Sequence, residues 1–302
     1  MRSPPLVIDR FDASLRRPGS EWRGRIERLF PRAAIARPDD AMKGTLTLLP
    51  RHRDLVPLSA AVPWERARPP AGSAVSVRNG TLTLTGPDGQ TLRLLLRGPG
   101  VALELPGSPI SLRREALEVQ IAAVRSVRPE PDALFSLNPM SVTETSSLGI
   151  GARMDEIVSL LRDGCPREAE YRIRVSRLSG LGPGLTPSGD DRLVGLAAAS
   201  LHFARGGWID SESSAAYASS LARVPREHTT PVAHEMLVHA SAGRFPEALI
   251  AFVSMLGDPN VEGAQAAARA VRLAAIGAQT GGDLIAGVLS LARCFRSREE
   301  AS

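Results

Sequence analysis

Apolar and polar positions follow two different rhythms along this chain. From Lys43 to about Leu105, short alternating runs are separated by turn formers: "GTLTLLP", "AVSVRNG", "TLTLTGPDGQTLRLLL" and "VALEL". Alternation sends successive side chains to opposite faces, so these runs predict antiparallel strands with one apolar face. In the clearest of them, Leu82 and Leu84 interleave with Thr81, Thr83 and Thr85, and Gly86-Pro87-Asp88-Gly89 turns the chain back into Leu92 and Leu94. The proline-rich "PWERARPPAG" ahead of them reads as a connection, with Trp64 as a packing anchor.

After Ser111 the period lengthens. Leu117, Ile121, Val124 and Val127 fall at helical spacing, and Pro129 and Pro131 stop the run. Met154, Ile157, Leu160 and Leu161 predict a second amphipathic helix ending at Gly164. Further helices are predicted at 188–204, 213–223, 231–242, 246–256, 261–275 and 282–294; Thr230 can cap one that starts at Pro231, and Pro246 opens another. The expected fold is α+β: a β-rich N-terminal half, an antiparallel sheet or small barrel over 1–135, then an α-helical half over 136–302.

The 302 residues, 43% hydrophobic and 23% charged, have the balance of a folded soluble protein. The net charge of +5 comes almost wholly from arginine, since Lys43 is the only lysine. These arginines are scattered and aromatics make up only 4%, so no basic, stacking surface for nucleic acid emerges. Cys165 and Cys294 lack the spacing of a disulfide framework or zinc site. With neither a signal-peptide core nor a membrane-spanning apolar run, a cytoplasmic location is expected.

The chemistry concentrates in "GLGPGLTPSGDDRLVG". Ser188-Gly189-Asp190-Asp191-Arg192-Leu193-Val194-Gly195 lines up with Thr280-Gly281-Gly282-Asp283-Leu284-Ile285-Ala286-Gly287, each followed by a small-residue apolar helix. A tight turn into a helix start offers unpaired N–H groups and the positive end of the helix dipole to an anion. Gly182, Gly184 and Gly189 would let a ligand near the backbone, with hydroxyls from Thr186 and Ser188; Thr280, Gly281 and Thr230 are candidates for the other walls. Gly195 and Gly287 would allow close helix packing. Alternatively, Ser188 or Thr280 caps its helix, and Asp191 or Asp283 satisfies the dipole. Adjacent carboxylates cannot share one helix face, so Asp190 and Asp191 have different jobs: one buttresses the loop, the other points toward substrate or Mg²⁺. Arg192 would contact an acidic ligand or pair with Asp190.

A P-loop lysine and a GxSxG elbow are both absent from the motif. His228, His234 and His239 lack the i, i+4 spacing of a helical zinc pair, so no metal site is assigned to them.

With "TTPVAHEMLVHASAGRF" downstream, "IGAQTGGDLIAG" near the end, and "GRIERLFPRAAIA" and "GTLTLLP" early on, the motif resembles the AllH-like family, formerly a domain of unknown function, one branch of which is a subunit of bacterial oxamate carbamoyltransferase. The resemblance implies carbamoyl transfer between phosphate and a small amide or amine, in an oligomeric assembly with other subunits of a purine-degradation type pathway. Carbamoyl phosphate would use a phosphate site beside oxyanion-stabilising donors. On that reading Gly184, Thr186, Ser188 and Gly189 bind phosphate, while Asp190 or Asp191, with Asp283, positions the acceptor or its proton. Where the family pattern has His-hydroxyl-Ser-Gly, this chain has Ala278-Gln279-Thr280-Gly281. Two other functions fit the same residues: a non-catalytic anion-binding or assembly subunit, and a Mg²⁺-dependent hydrolase or nucleotide-using enzyme on Asp190, Asp191 and Asp283. No other cofactor is expected.

Overall fold

The computed structural model describes residues 6–17, 19–40, 43–107, 110–127 and 144–295, with the side chains of 144–148 left aside. The chain divides into two compact units, Met1–Leu103 and Glu104–Ser302. The fold is α+β, as the two rhythms predict.

The first unit is one eight-stranded sheet: β1 (Leu6–Ile8), β2 (Trp22–Phe30), β3 (Ala33–Pro38), β4 (Leu46–Pro50), β5 (Ser59–Val62), β6 (Ala74–Arg78), β7 (Thr81–Thr85) and β8 (Thr91–Leu96), in the order β1-β8-β7-β6-β2-β3-β4-β5. A single helical turn, α1 (Trp64–Ala67), interrupts it. The two end strands nearly meet. Beyond β1, the Phe11–Ala60 bridge and the hydrogen bonds from Ala61 N to Arg10 O and from Asp12 N to Ser59 O join the edges into a nearly closed barrel. Among the described residues, closure leaves no long unpaired edge. The expected Thr81–Leu94 hairpin pairs Leu82 with Leu94 and Leu84 with Leu92, all on the apolar interior side except the half-buried Leu92.

Three findings correct the sequence-based picture of this unit. Its first three strands precede Lys43, because β2 alternates with arginine as its outward residue: Trp22 and Ile26 are buried while Arg23, Arg25 and Glu27 are exposed. The sheet is mixed, with parallel pairs at both ends, β1 with β8 and β4 with β5. "VALEL" forms only single bridges, at Val101 and Glu104.

The second unit is helical: α2 (Arg114–Ser126), α3 (Glu144–Arg162), α4 (Glu168–Leu178), α5 (Ser188–Arg205), α6 (Ser211–Leu221), α7 (Pro231–Ser241), α8 (Glu247–Val253), α9 (Gly263–Ala274) and α10 (Thr280–Ala292). The division falls ahead of the 135/136 boundary. Helix α2 belongs with the second unit, since Leu117, Ile121 and Val124 join its core and the Gln120 side chain bonds Gly257 N and the carbonyls of Asp258 and Val261. Pro129 and Pro131 lie outside the described residues. Helix α4 is an addition to the expected helices: five charged side chains in eleven residues mask the period that buries Tyr171, Val175 and Leu178.

Helix α5 is the hub. From Ser188 to Ser200 only Arg192 is not buried, which is the signature of a helix enclosed on all sides. The Tyr217 hydroxyl of α6 donates to the Leu193 carbonyl at 2.8 Å. Helix α10 lies against α5 without intervening side chains at two points. A Cβ on Gly195 would collide with the Leu284 carbonyl, and one on Gly287 with the Arg192 carbonyl. Among the described residues no helix is long and apolar enough to cross a membrane.

Candidate functional site

The two glycine–aspartate helix starts meet in space. Each follows directly on a preceding helix and turns in the same way. In the first, Leu181 N bonds Leu178 O and Gly189 N bonds Leu181 O; in the second, Ile276 N bonds Leu273 O and Gly281 N bonds Ile276 O. Cβ atoms on Gly189 and Gly281 would strike the Leu178 and Leu273 carbonyls, so both positions require glycine for the same close approach. With the reciprocal Gly195–Leu284 and Gly287–Arg192 contacts, α4–α5 and α9–α10 form an internal structural repeat. The connecting turn is longer in the first copy, residues 182–188 against 277–280, and the extra length is the exposed Gly182-Pro183-Gly184 bend. Gly182 and Gly184 sit there at φ 111° and 103°, a backbone region that disfavours side chains.

The neighbouring acids do different work. Asp190 is buried and fully engaged: it accepts from Ser179 Oγ at 2.7 Å, Gly180 N at 3.0 Å and Thr229 Oγ1 at 2.6 Å. It thus ties the end of α4 and the approach to α7 onto the start of α5. Burial raises its pKa, and those three donors, with His234 nearby, restrain the rise.

Asp191 is 1% exposed, and neither carboxylate oxygen has a hydrogen-bond partner. Burial drives its pKa well above the ordinary carboxylate range, and the Asp283 and Asp190 carboxylates push the same way. The Thr186 and Thr280 hydroxyls lie close enough to oppose that rise, but neither meets hydrogen-bond geometry with the carboxylate. They bond each other instead, at 2.8 Å, bridging the two helix starts. Asp283 is ion-paired with Arg192, Oδ1 to Nε at 2.9 Å. Arg192 therefore reaches across to the second copy and not to Asp190.

Capping does not explain the hydroxyls. Pro187 and Gln279 hold the N-cap positions of α5 and α10 without side-chain bonds, leaving Ser188 and Thr280 as first helical residues. Thr230 is a true cap, accepting from Ala233 N at 3.1 Å while its hydroxyl donates to the Leu185 carbonyl. Several amides expected to face an anion are already used: Gly189 and Gly281 as above, and Asp190 and Asp191 on the Pro187 carbonyl. A Cβ on Gly182 would strike Ser188 N, so the bend passes close to that amide. His228, His234 and His239 are spread over an exposed turn and the half-buried side of α7. Among the described residues, no three His, Cys, Asp or Glu side chains are grouped to hold a metal ion. The sequence alone did not single out Ser179 and Thr229 as partners of Asp190, because the hydrogen bonds span 11 and 39 residues.

Comparison with curated proteins and with solved structures gave no significant match. Residues 178–292, from the last residue of α4 to the last of α10, match a family model described as oxamate carbamoyltransferase subunit AllH. That span contains both helix starts and Thr186, Ser188, Asp190, Asp191, Thr230, Thr280 and Asp283, and over it the resemblance of this chain to the AllH family is borne out.

Proposed function

We propose that this chain is a carbamoyltransferase subunit whose working site lies where α5 and α10 begin. The observation that carries the reading is Asp191: a buried carboxylate without a hydrogen-bond partner, inside the segment that the AllH model covers. A folded protein keeps such a group only against a cost in stability, and sites of chemistry are where that cost is commonly met. In the transfer, an amide or amine nitrogen attacks the carbamoyl carbon of carbamoyl phosphate. The C–N bond forms, the C–O bond to phosphate breaks, and the nitrogen's proton passes to a carboxylate, for which Asp191 is the group in place. The exposed Gly182-Pro183-Gly184 bend, with Thr186, is the part of the turn left to receive phosphate, since the amides of Gly189 and Gly281 are spent within the fold. Asp283, held by Arg192, sets the charge beside the acid.

The test is reconstitution of the chain with the other subunits of a carbamoyltransferase, following phosphate-dependent carbamoyl transfer to and from oxamate. Transfer that appears only with the partners and disappears in Asp191→Ala supports the reading; absence of transfer with all subunits present refutes it. The family description names a subunit, which favours one second reading: a chain that binds the anionic metabolite and assembles with partners but does no chemistry itself. In that case Asp191→Ala would weaken assembly or ligand binding and leave the rate per bound ligand unchanged. The Mg²⁺-dependent alternative is the weaker one, because Asp190 is committed to three donors. Activity insensitive to chelator is the expected result.

A further inference from the structure

Asp191 and Asp283 hold equivalent places in the two copies of the helix start, yet only Asp283 has a cation. Arg192 follows Asp191 in the first copy and crosses to Asp283. Its equivalent in the second copy is Leu284, fully buried, whose carbonyl packs on Gly195 just as the Arg192 carbonyl packs on Gly287. By the symmetry of the repeat, a side chain at 284 is the one placed to serve Asp191, and leucine has no N–H to give. The nearby hydroxyls make up little of the deficit. In the Thr186–Thr280 bond one hydroxyl spends its proton on the other, so a single proton remains for two carboxylate oxygens.

We infer that Asp191 is the specificity-determining group of the site, and that it accepts from an N–H donor of the ligand, an amide, ureido or carbamoyl –NH₂, which takes the place that Arg192 fills at Asp283. The inference deepens the carbamoyltransferase reading and rests on it for the location of the site. A carboxylate or phosphate oxygen in the same place would set its charge against the Asp190 and Asp283 carboxylates, and Asp191 could meet it only by staying un-ionised, with no proton released. The discrimination is therefore between –NH₂ and –O⁻ on otherwise similar molecules.

Oxamate and oxalate differ in that one group. The whole chain, alone and with its partner subunits, is titrated calorimetrically with each, in two buffers of different ionisation enthalpy. Oxamate is expected to bind at least about tenfold more tightly than oxalate, with release of a proton as Asp191 ionises against the –NH₂. Asp191→Asn, which can itself donate, is expected to lose about tenfold or more for oxamate, to lose the preference over oxalate, and to lose the proton release. Equal binding of the two ligands to the wild type, an unchanged oxamate affinity in Asp191→Asn, or no oxamate binding even with partners present would each overturn the inference. Should that variant fail to fold, infrared difference spectra of the wild type decide: the un-ionised carboxyl band must give way to a carboxylate band on adding oxamate, and no change refutes the assignment. Asp191-dependent oxamate binding in a complex that transfers no carbamoyl group would leave this inference standing and remove the functional reading; loss of transfer in Asp191→Asn with oxamate affinity unchanged would do the reverse.

Discussion

Replacing Asp190 removes the acceptor for Ser179, Gly180 and Thr229 at once, whereas replacing Asp191 removes no hydrogen bond. Asp190→Ala is therefore expected to destabilise the fold by about 2–4 kcal/mol in denaturant unfolding, since three donors lose a charged partner. Asp191→Asn should do the opposite at neutral pH. The folded-state pKa of Asp191 lies above its unfolded value, so the stability this group contributes is present below the unfolded value and is lost as pH rises. A neutral isostere escapes that loss, and its melting temperature should exceed the wild type's by a margin that widens from mildly acidic to alkaline pH. A variant that melts below the wild type throughout would mean that Asp191 has a structural partner. His202 shows the converse sign. Buried on α5 with Nε2 2.8 Å from the Leu256 carbonyl, it has its pKa lowered by burial from 6.5 to about 4. The unfolded chain takes up that proton first as pH falls, so about 3 kcal/mol of stability should disappear between pH 6.5 and about 4. His202→Gln should flatten acid unfolding in that window.

At the scale of elements, the crossing of α5 and α10 depends on hydrogen atoms where other residues have methyl groups. Gly195→Ala and Gly287→Ala each place a Cβ on a backbone carbonyl of the other helix, and a backbone cannot rotate out of the way as a side chain can. Each should cost about 2–4 kcal/mol, more than the ordinary overpacking penalty, even though alanine is the better helix former. The double variant should cost less than the sum, because the first substitution already separates the helices. Equal stability of the single variants and the wild type in urea unfolding would show that the approach is looser. Much of this element was legible in advance: the hydroxyl-Gly-x-Asp spacing and the glycines a turn later are local signals, and the first helix begins at Ser188 as predicted while the second begins at Thr280, two residues ahead of the predicted start. The unread parts have physical causes. Helix α4 hides its apolar stripe among charges, and β2 carries arginine where strand recognition looks for threonine or valine. Which acid is tied down and which is left without donors depends on Ser179 and Thr229, brought in by the tertiary fold.

Among the described residues, the two units bury separate apolar clusters, one of 18 buried residues between Ile8 and Leu96 and one drawn from Leu105 onward. Separate cores favour separate cooperative transitions. Calorimetric unfolding should accordingly give a van't Hoff enthalpy clearly below the calorimetric one, and a single two-state transition would show the cores to be coupled. The helical unit joins distant segments, with α5 packed on α10 and Gln120 of α2 bonding Gly257 and the Asp258 and Val261 carbonyls. The barrel does the same at its edges, where the outermost strands find each other only through distant partners: β1 pairs with Leu94–Leu96, and Phe11 meets Ala60. During synthesis β1 itself leaves the ribosome ahead of the other strands and yet has no strand to pair with until β8, with Leu94 to Leu96, follows it out. The stretch made earliest in the barrel is thus the last to be fixed, and it has to be kept from pairing elsewhere for as long as the ribosome takes to make the rest.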